Sequence, residues 1–271
     1  MHIVGVLNVT PDSFHDGGRF TSVEDAVHRA GELIAQGADI VEIGGESTGP
    51  HSAAVSTEEE MVRVLPVLEA IRSAYPQARL SIDTYKSAVA AAAIKRGVIM
   101  VNDVTAGRAD PDFFSVVAAS KTSLVLMYSK DANPRTTLGE NSYTDVIQSV
   151  SYFLRERRDA AAAAGIDSSR IILDPGLGHF VSSDPQYSFE ILGRLQELLH
   201  LECPLFISPS RKSFLAGGEN LQTADRLSGT IAASAIAVLH GATYIRTHDV
   251  VETRRACEIA QAIRMQNSRK E

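Results

Sequence analysis

Eight short apolar runs, at 2–8, 39–44, 79–84, 98–104, 123–129, 170–174, 204–208 and 243–248, recur along the chain with longer helix-like stretches between them. Each run suits one strand and is too short for an independent helix, and strands covered on both faces read as near-continuous apolar runs because neither face meets water. Strand then helix, repeated, is the signature of βαβ units and a parallel sheet. Eight such repeats in 271 residues predict one domain, residues 1–271, folded as a closed α/β TIM barrel, (β/α)8, rather than an open doubly wound sheet.

The intervening segments carry helix signals. Ser22-Val23-Glu24-Asp25 opens one helix, and Ser56-Thr57-Glu58-Glu59 opens another with capping-box spacing. Asp110-Pro111 is expected to start a third, since an early proline lacks only a donor that would be unused there. Residues 143–164, 186–200, 222–240 and 251–266 read as further helices, and the alanine-rich 88–93 and 160–164 need only helix propensity to explain them. The polar tail from Gln266 to Glu271 is expected to fray.

With 44% hydrophobic residues the chain can build a large core, while a net charge of −7 argues against a nucleic-acid partner, which would need a basic face. An anionic substrate must therefore be met by a local basic pocket. Cys203 and Cys257 have neither metal-ligand nor redox spacing and read as reduced thiols. Met1 runs directly into an apolar strand, with no basic leader or membrane-length stretch, so the expected setting is the cytoplasm and no membrane is expected as partner.

Polar residues cluster where the apolar runs end, the rim on which barrel active sites are built. Asn8, Gly44-Gly45-Glu46-Ser47-Thr48, Asp83-Thr84, Asn102-Asp103, Asp174-Pro175-Gly176, Ser210-Arg211-Lys212 and Arg246-Thr247-His248-Asp249 all fall there. Asp83, Asn102 and Asp174 suit a flat heterocycle presenting several N–H donors in one plane. Lys212, Arg246 and His248 are expected to supply positive charge for an anionic leaving group. Neutral Asn8 suits a weakly held magnesium ion whose other ligands are substrate oxygens and water. Singly, each has a plainer reading: a strand-end Asp is commonly a helix cap and Ser-Arg-Lys a solvated turn. The functional reading rests on seven strand ends carrying such groups together.

The runs Gly5-Val6-Leu7-Asn8-Val9-Thr10-Pro11-Asp12-Ser13-Phe14 with Asp16-Gly17-Gly18, and Gly37-Ala38-Asp39-Ile40-Val41-Glu42-Ile43-Gly44-Gly45-Glu46-Ser47-Thr48, resemble the two signature loops of the dihydropteroate synthases. Ser81-Ile82-Asp83-Thr84-Tyr85-Lys86, Asn102-Asp103-Val104, Leu173-Asp174-Pro175-Gly176, Ser210-Arg211-Lys212-Ser213, Arg226-Leu227-Ser228-Gly229 and Arg246-Thr247-His248-Asp249 are similar to that family in the same order. The resemblance implies a pterin held by Asp83, Asn102, Asp174 and Lys212 with Arg246 stacked on it, and a pyrophosphate met by magnesium at Asn8 and by Arg246 and His248. It further implies attack by the arylamine of p-aminobenzoate without a protein nucleophile, a p-aminobenzoate wall of Thr48, Pro50 and Ser210, loops 9–20 and 45–55 closing over the site, and a homodimer through the late barrel helices.

Several positions depart from the family pattern. Where an arginine usually follows Ser47-Thr48, this chain has Gly49-Pro50-His51; Tyr128-Ser129-Lys130 and Gly178-His179-Phe180-Val181 also differ, and Ser208-Pro209 replaces a glycine-containing approach to Ser210. These changes lie mostly on the p-aminobenzoate and phosphate side rather than the pterin side, and lead to the expectation of an altered second-substrate wall that admits p-aminobenzoate but excludes bulkier sulfonamides. Two other readings stay open: a non-catalytic pterin-binding paralogue and a pterin-dependent methyltransferase.

Overall fold

The computed structural model describes residues 1–10 and 23–267. In chain order the elements are β1 (His2–Asn8), α1 (Val23–Ala35), β2 (Ile40–Gly44), α2 (Thr57–Ala74), β3 (Leu80–Asp83), α3 (Ser87–Lys95), β4 (Met100–Asp103), α4 (Phe113–Ala118), β5 (Ser123–Met127), α5 (Val146–Ala163), β6 (Ile171–Asp174), α6 (Pro185–Gly193), β7 (Phe206–Ile207), α7 (Leu227–Leu239), β8 (Tyr244–Thr247) and α8 (Val250–Asn267). The strands form one parallel sheet in the order β6-β5-β4-β3-β2-β1-β8-β7. An isolated parallel bridge between Leu173 and Leu205, with Leu173 N donating to Pro204 O at 2.9 Å, joins β6 to the β7 side and closes the barrel.

Side-chain alternation along each strand sorts the apolar residues into two cores. Val4, Ile40, Met100, Val125, Ile172 and Phe206 form a cluster of their own, the plug that fills the barrel. Their neighbours in sequence, such as Ile3, Val41, Val101, Leu124, Leu173 and Ile207, pack outward against Leu33, Leu68, Val117, Leu154 and Ile191 of the helices. Two residues beyond the plug, towards the C-terminal strand ends, the same inward positions carry Glu42, Asn102, Asp174, Ser208 and Arg246. The period of two therefore builds an apolar floor with a polar mouth above it.

Local chemistry explains where the elements begin. Ser56 caps α2 by accepting from Glu59 N at 3.1 Å, but the reciprocal half of a capping box is absent because the Glu59 carboxylate pairs with Arg63 instead. Asp110 does not open α4, which starts at Phe113; its carboxylate accepts from Ser87 N at 2.8 Å and Asp112 N at 3.0 Å, so it serves the free donors of α3. The expected 186–200 helix breaks after Gly193 into a 3₁₀ segment, Leu195–Leu201, ended by Glu202 at φ 54°. The 222–240 segment likewise begins as 3₁₀ turn at Thr223–Arg226 before α7.

In the turn after β6, Gly176 tolerates no side chain. Its φ is +69°, and a Cβ there would lie 2.5 Å from Tyr128 O, so both conformation and space demand glycine. Cys203 and Cys257 are free and buried, and among the described residues no helix is long and apolar enough to cross a membrane. The expected Ser22 helix start, most of the 9–20 loop and the last four tail residues lie outside the described residues.

Candidate active site

Strand register sets four residues in a row at the top of the barrel: Asn8 opposite Gly44, Gly44 opposite Asp83, and Asp83 opposite Asn102. Gly44 adds no side chain to the row; a Cβ there would stand at ordinary contact distance, 3.5 Å from Asn8 Oδ1. Just below lies Glu42, fully buried, a residue to which the strand-end argument gave no role. Its signal was present: a carboxylate at an inward position of Ile40-Val41-Glu42-Ile43-Gly44, where alternation demands either an apolar side chain or a partner.

That partner is Arg246. Its Nε bonds Glu42 Oε1, and its terminal nitrogen reaches Asp83 Oδ2 at 3.0 Å. Glu42 also accepts from Ser81 Oγ at 3.3 Å and from Asn102 Nδ2 at 3.3 Å. Because the Asn102 amide spends its donor on Glu42, its buried Oδ1 is left with no hydrogen-bond partner and is an acceptor for a donor from outside the protein.

Burial pushes Asp83 up to about 7; Arg246 pulls it back and Glu42 pushes it further. About 20% of its side chain remains exposed, so water moderates the rise. Asp174, 2% exposed, is held by Gly176 N at 2.8 Å and raised to about 6 by burial, with Lys212 opposing. Lys212 is lowered to about 8 by burial, with Asp174 opposing; its ammonium donates to Leu177 O at 3.2 Å and lies 5.1 Å from the Phe180 ring centre. The expected acidic and basic halves are therefore interleaved: Arg246 is tied to Glu42 and Asp83, and Lys212 is electrostatically matched to Asp174.

Beside the mouth, Arg29, Ser210, Arg211, Lys212, Thr223, His248 and Asp249 line a cleft of about 480 Å³. Arg211, at φ +57°, is held by a two-pronged bridge to Asp249, at 2.9 and 2.7 Å. That pair is self-neutralised; of the cleft's other cations, Arg29 is bridged to Glu32 at 2.7 Å and Lys212 faces Asp174. Arg29, from the middle of α1, donates to His248 O at 3.5 Å; no strand-end pattern could have found it. His248 does not carry the expected positive charge. Burial, reinforced by Arg246, lowers it to about 4, so it is neutral near pH 7. Ser210 Oγ accepts from His248 N at 3.1 Å and lies 2.9 Å from Nδ1, a distance at which the hydroxyl can donate to Nδ1 in the tautomer that carries its proton on Nε2.

Of the expected p-aminobenzoate residues, Ser210 belongs to this cleft, whereas Thr48 and Pro50 lie half-buried in the β2–α2 loop. For a metal, Asn8 offers one strand-end side-chain oxygen, and among the described residues no group of three His, Cys, Asp or Glu could cage an ion. A hard cation fits only if substrate oxygens and water complete its shell, which is how magnesium commonly binds beside phosphate.

A parallel barrel whose acid–amide mouth keeps one orphaned acceptor beside a basic cleft is suited to an enzyme for a donor-rich planar ring bearing an anionic group. Residues 4–248 match the family of pterin binding enzymes. A dihydropteroate synthase of Escherichia coli strain K12 is 38% identical over 261 residues, covering 96% of this chain and 91% of that one. A probable bifunctional folylpolyglutamate synthase/dihydropteroate synthase of Haloferax volcanii is 42% identical over 98% of this chain, which spans 31% of that protein. The structure of Xanthomonas albilineans dihydropteroate synthase with 4-aminobenzoic acid superposes with a TM-score of 0.89 at 38% identity, covering 97% of this chain and 92% of that one. The chain belongs to the pterin binding enzymes and, within them, to the dihydropteroate synthases.

Proposed function

We propose that the chain is a transferase that condenses 6-hydroxymethyl-7,8-dihydropterin pyrophosphate with p-aminobenzoate, giving 7,8-dihydropteroate and pyrophosphate in folate biosynthesis. The observation that carries this reading is the orphaned acceptor of Asn102 beside Asp83 and Asp174, within one mouth that also opens on the Arg29–Lys212–His248 cleft. The ring's N–H groups meet Asp83, Asn102 and Asp174, with Lys212 at its edge and the Arg246 guanidinium against its face.

The pyrophosphate occupies the cleft, where Lys212 and Arg29 offer charge and the His248 Nε2–H offers a neutral hydrogen bond. As the carbon–oxygen bond to pyrophosphate breaks, cationic character grows on the pterin methylene, and the buried carboxylates offset it. The arylamine nitrogen then bonds that carbon and releases its proton to solvent or to the departing anion. Magnesium held at Asn8 would add Lewis-acid stabilisation of the leaving group. Thr48 and Pro50 form part of the p-aminobenzoate wall, with Ser210 on the cleft side.

Release of pyrophosphate on mixing the purified protein with both substrates and magnesium tests this, and its absence would leave the non-catalytic reading in its place. The pH profile is a second check. Asp83 must be ionised and Lys212 protonated, so kcat/KM should rise through about 7 and fall through about 8. A profile flat from pH 6 to 9 would remove both groups from the mechanism.

The altered wall at Gly49-Pro50-His51 supports weaker sulfonamide binding; inhibition by sulfamethoxazole at the concentration that blocks the E. coli enzyme would contradict it. Exposed Ile236 and Leu239 on α7 with Ile259 and Ile263 on α8 support a homodimer through these helices. A monomeric mass by light scattering would rule that out. The free thiols support a reducing, cytoplasmic setting.

A further inference from the structure

Three strand-end loops are laced together on one side of the mouth. Glu46, two residues beyond β2, has a side chain only 3% exposed. Its Oε1 accepts from Val55 N at 3.3 Å, from the Tyr85 hydroxyl at 3.1 Å and from the Arg135 guanidinium, while Oε2 takes the Lys86 ammonium. Lys86 also bonds Glu60 Oε2 at 2.5 Å. Two carboxylates and two cations thus cancel in a nearly dry cluster, where losing one member leaves an uncompensated charge.

Arg135 is the member that comes from afar, from the β5–α5 loop. Besides Glu46 it donates to two carbonyls of the β2–α2 loop, Ser52 O at 3.0 Å and Ala53 O at 2.8 Å. The next residue continues the lacing: Thr136 N donates to Thr48 O at 3.1 Å, and Thr136 Oγ1 to His179 O at 2.7 Å. Anchors at Thr48 and at Ser52–Ala53 therefore bracket Gly49-Pro50-His51. Within 45–55 there is no lysine or arginine, so this loop has no guanidinium or ammonium of its own with which to hold its shape. His51 nevertheless sits at φ +88°, a backbone conformation that L residues resist and that persists because both flanks are pinned.

We propose that Arg135 is a positioning residue for the second substrate: by clamping Glu46, Ser52 and Ala53 it sets the conformation of residues 48–52 and hence the affinity of the arylamine subsite, without touching the pterin. This rests on the reaction proposed above. A planar fork is required, because a single ammonium cannot bond the Glu46 carboxylate and two divergent carbonyls together in the same geometry.

Steady-state KM and kcat for both substrates in Arg135→Ala, Arg135→Lys, Glu46→Gln and the Arg135→Ala/Glu46→Gln pair provide the test. Arg135→Ala should raise KM for p-aminobenzoate about tenfold, with kcat within about threefold of the unaltered protein and KM for the pterin pyrophosphate unchanged. Arg135→Lys should fall between the two, and the double variant should be no worse than the poorer single one, since both act through one clamp. If Arg135→Ala does not fold, the intermediate KM of Arg135→Lys carries the same expectation. An unchanged arylamine KM, equal rises for both substrates, or additive effects in the pair would each overturn the proposal while leaving the reaction standing. No turnover by the unaltered protein would bring down both.

Discussion

Arg246→Ala should lower kcat/KM by on the order of a thousandfold, the upper end of what loss of one preorganised electrostatic group costs. The guanidinium is the shared counter-ion of Glu42 and Asp83, and Glu42 has no exposed surface on which water could take its place. Without it the two carboxylates must protonate or separate, and either change alters the edge that faces the pterin. The same loss should reduce the free energy of unfolding by about 3–5 kcal/mol, typical for breaking a buried ion pair from one side. Arg246→Lys restores charge but not two directed donors, so it should recover stability more fully than activity. Urea unfolding and steady-state kinetics on both variants separate these effects; an alanine variant within threefold of normal kcat/KM would show that the guanidinium is structural alone.

The second large effect is expected at Asp174→Asn. The amide can still accept from Gly176 N, so the β6–α6 turn should survive. What is lost is the charge opposing Lys212's desolvation, and the other side-chain oxygen becomes a donor directed at a ring that itself offers donors. Unmatched donors in a closed site are costly, and the pterin dissociation constant should rise by about a hundredfold or more. With its carboxylate partner gone, Lys212 should lose its proton more readily, moving the alkaline limb of the pH profile below about 8. Calorimetric titration with the pterin pyrophosphate measures the first expectation. An affinity within threefold of normal would take Asp174 out of the ring site.

Much of this architecture was legible from alternation alone. The eight apolar runs became the eight strands, and Asp83, Asn102, Asp174 and Arg246 share one mouth because strand ends converge in any closed parallel barrel. What alternation could not convey was pairing. Glu42 lies within β2 rather than at its end, and Arg29 in the middle of α1, so neither carries a strand-end signal. The neutrality of His248 depends on how closely Arg246 and the surrounding structure enclose it, which no spacing reports. Asp110 looked like the start of the helix that follows it and instead serves the helix before it, a choice made by a contact between loops. Arg135 and Glu46 are 89 residues apart, and only the folded loops bring them together.

The sheet is not equally fastened all the way round. Four residue pairs join β5 to β6, but a single isolated bridge joins Leu173 to Leu205. A hoop under strain yields at its thinnest stave, and segments secured by few backbone hydrogen bonds open first. This seam runs up to Asp174 on one side and towards Ser208 and Lys212 on the other, so the part of the cylinder expected to loosen first on heating is the one that carries the Asp174–Lys212 pair.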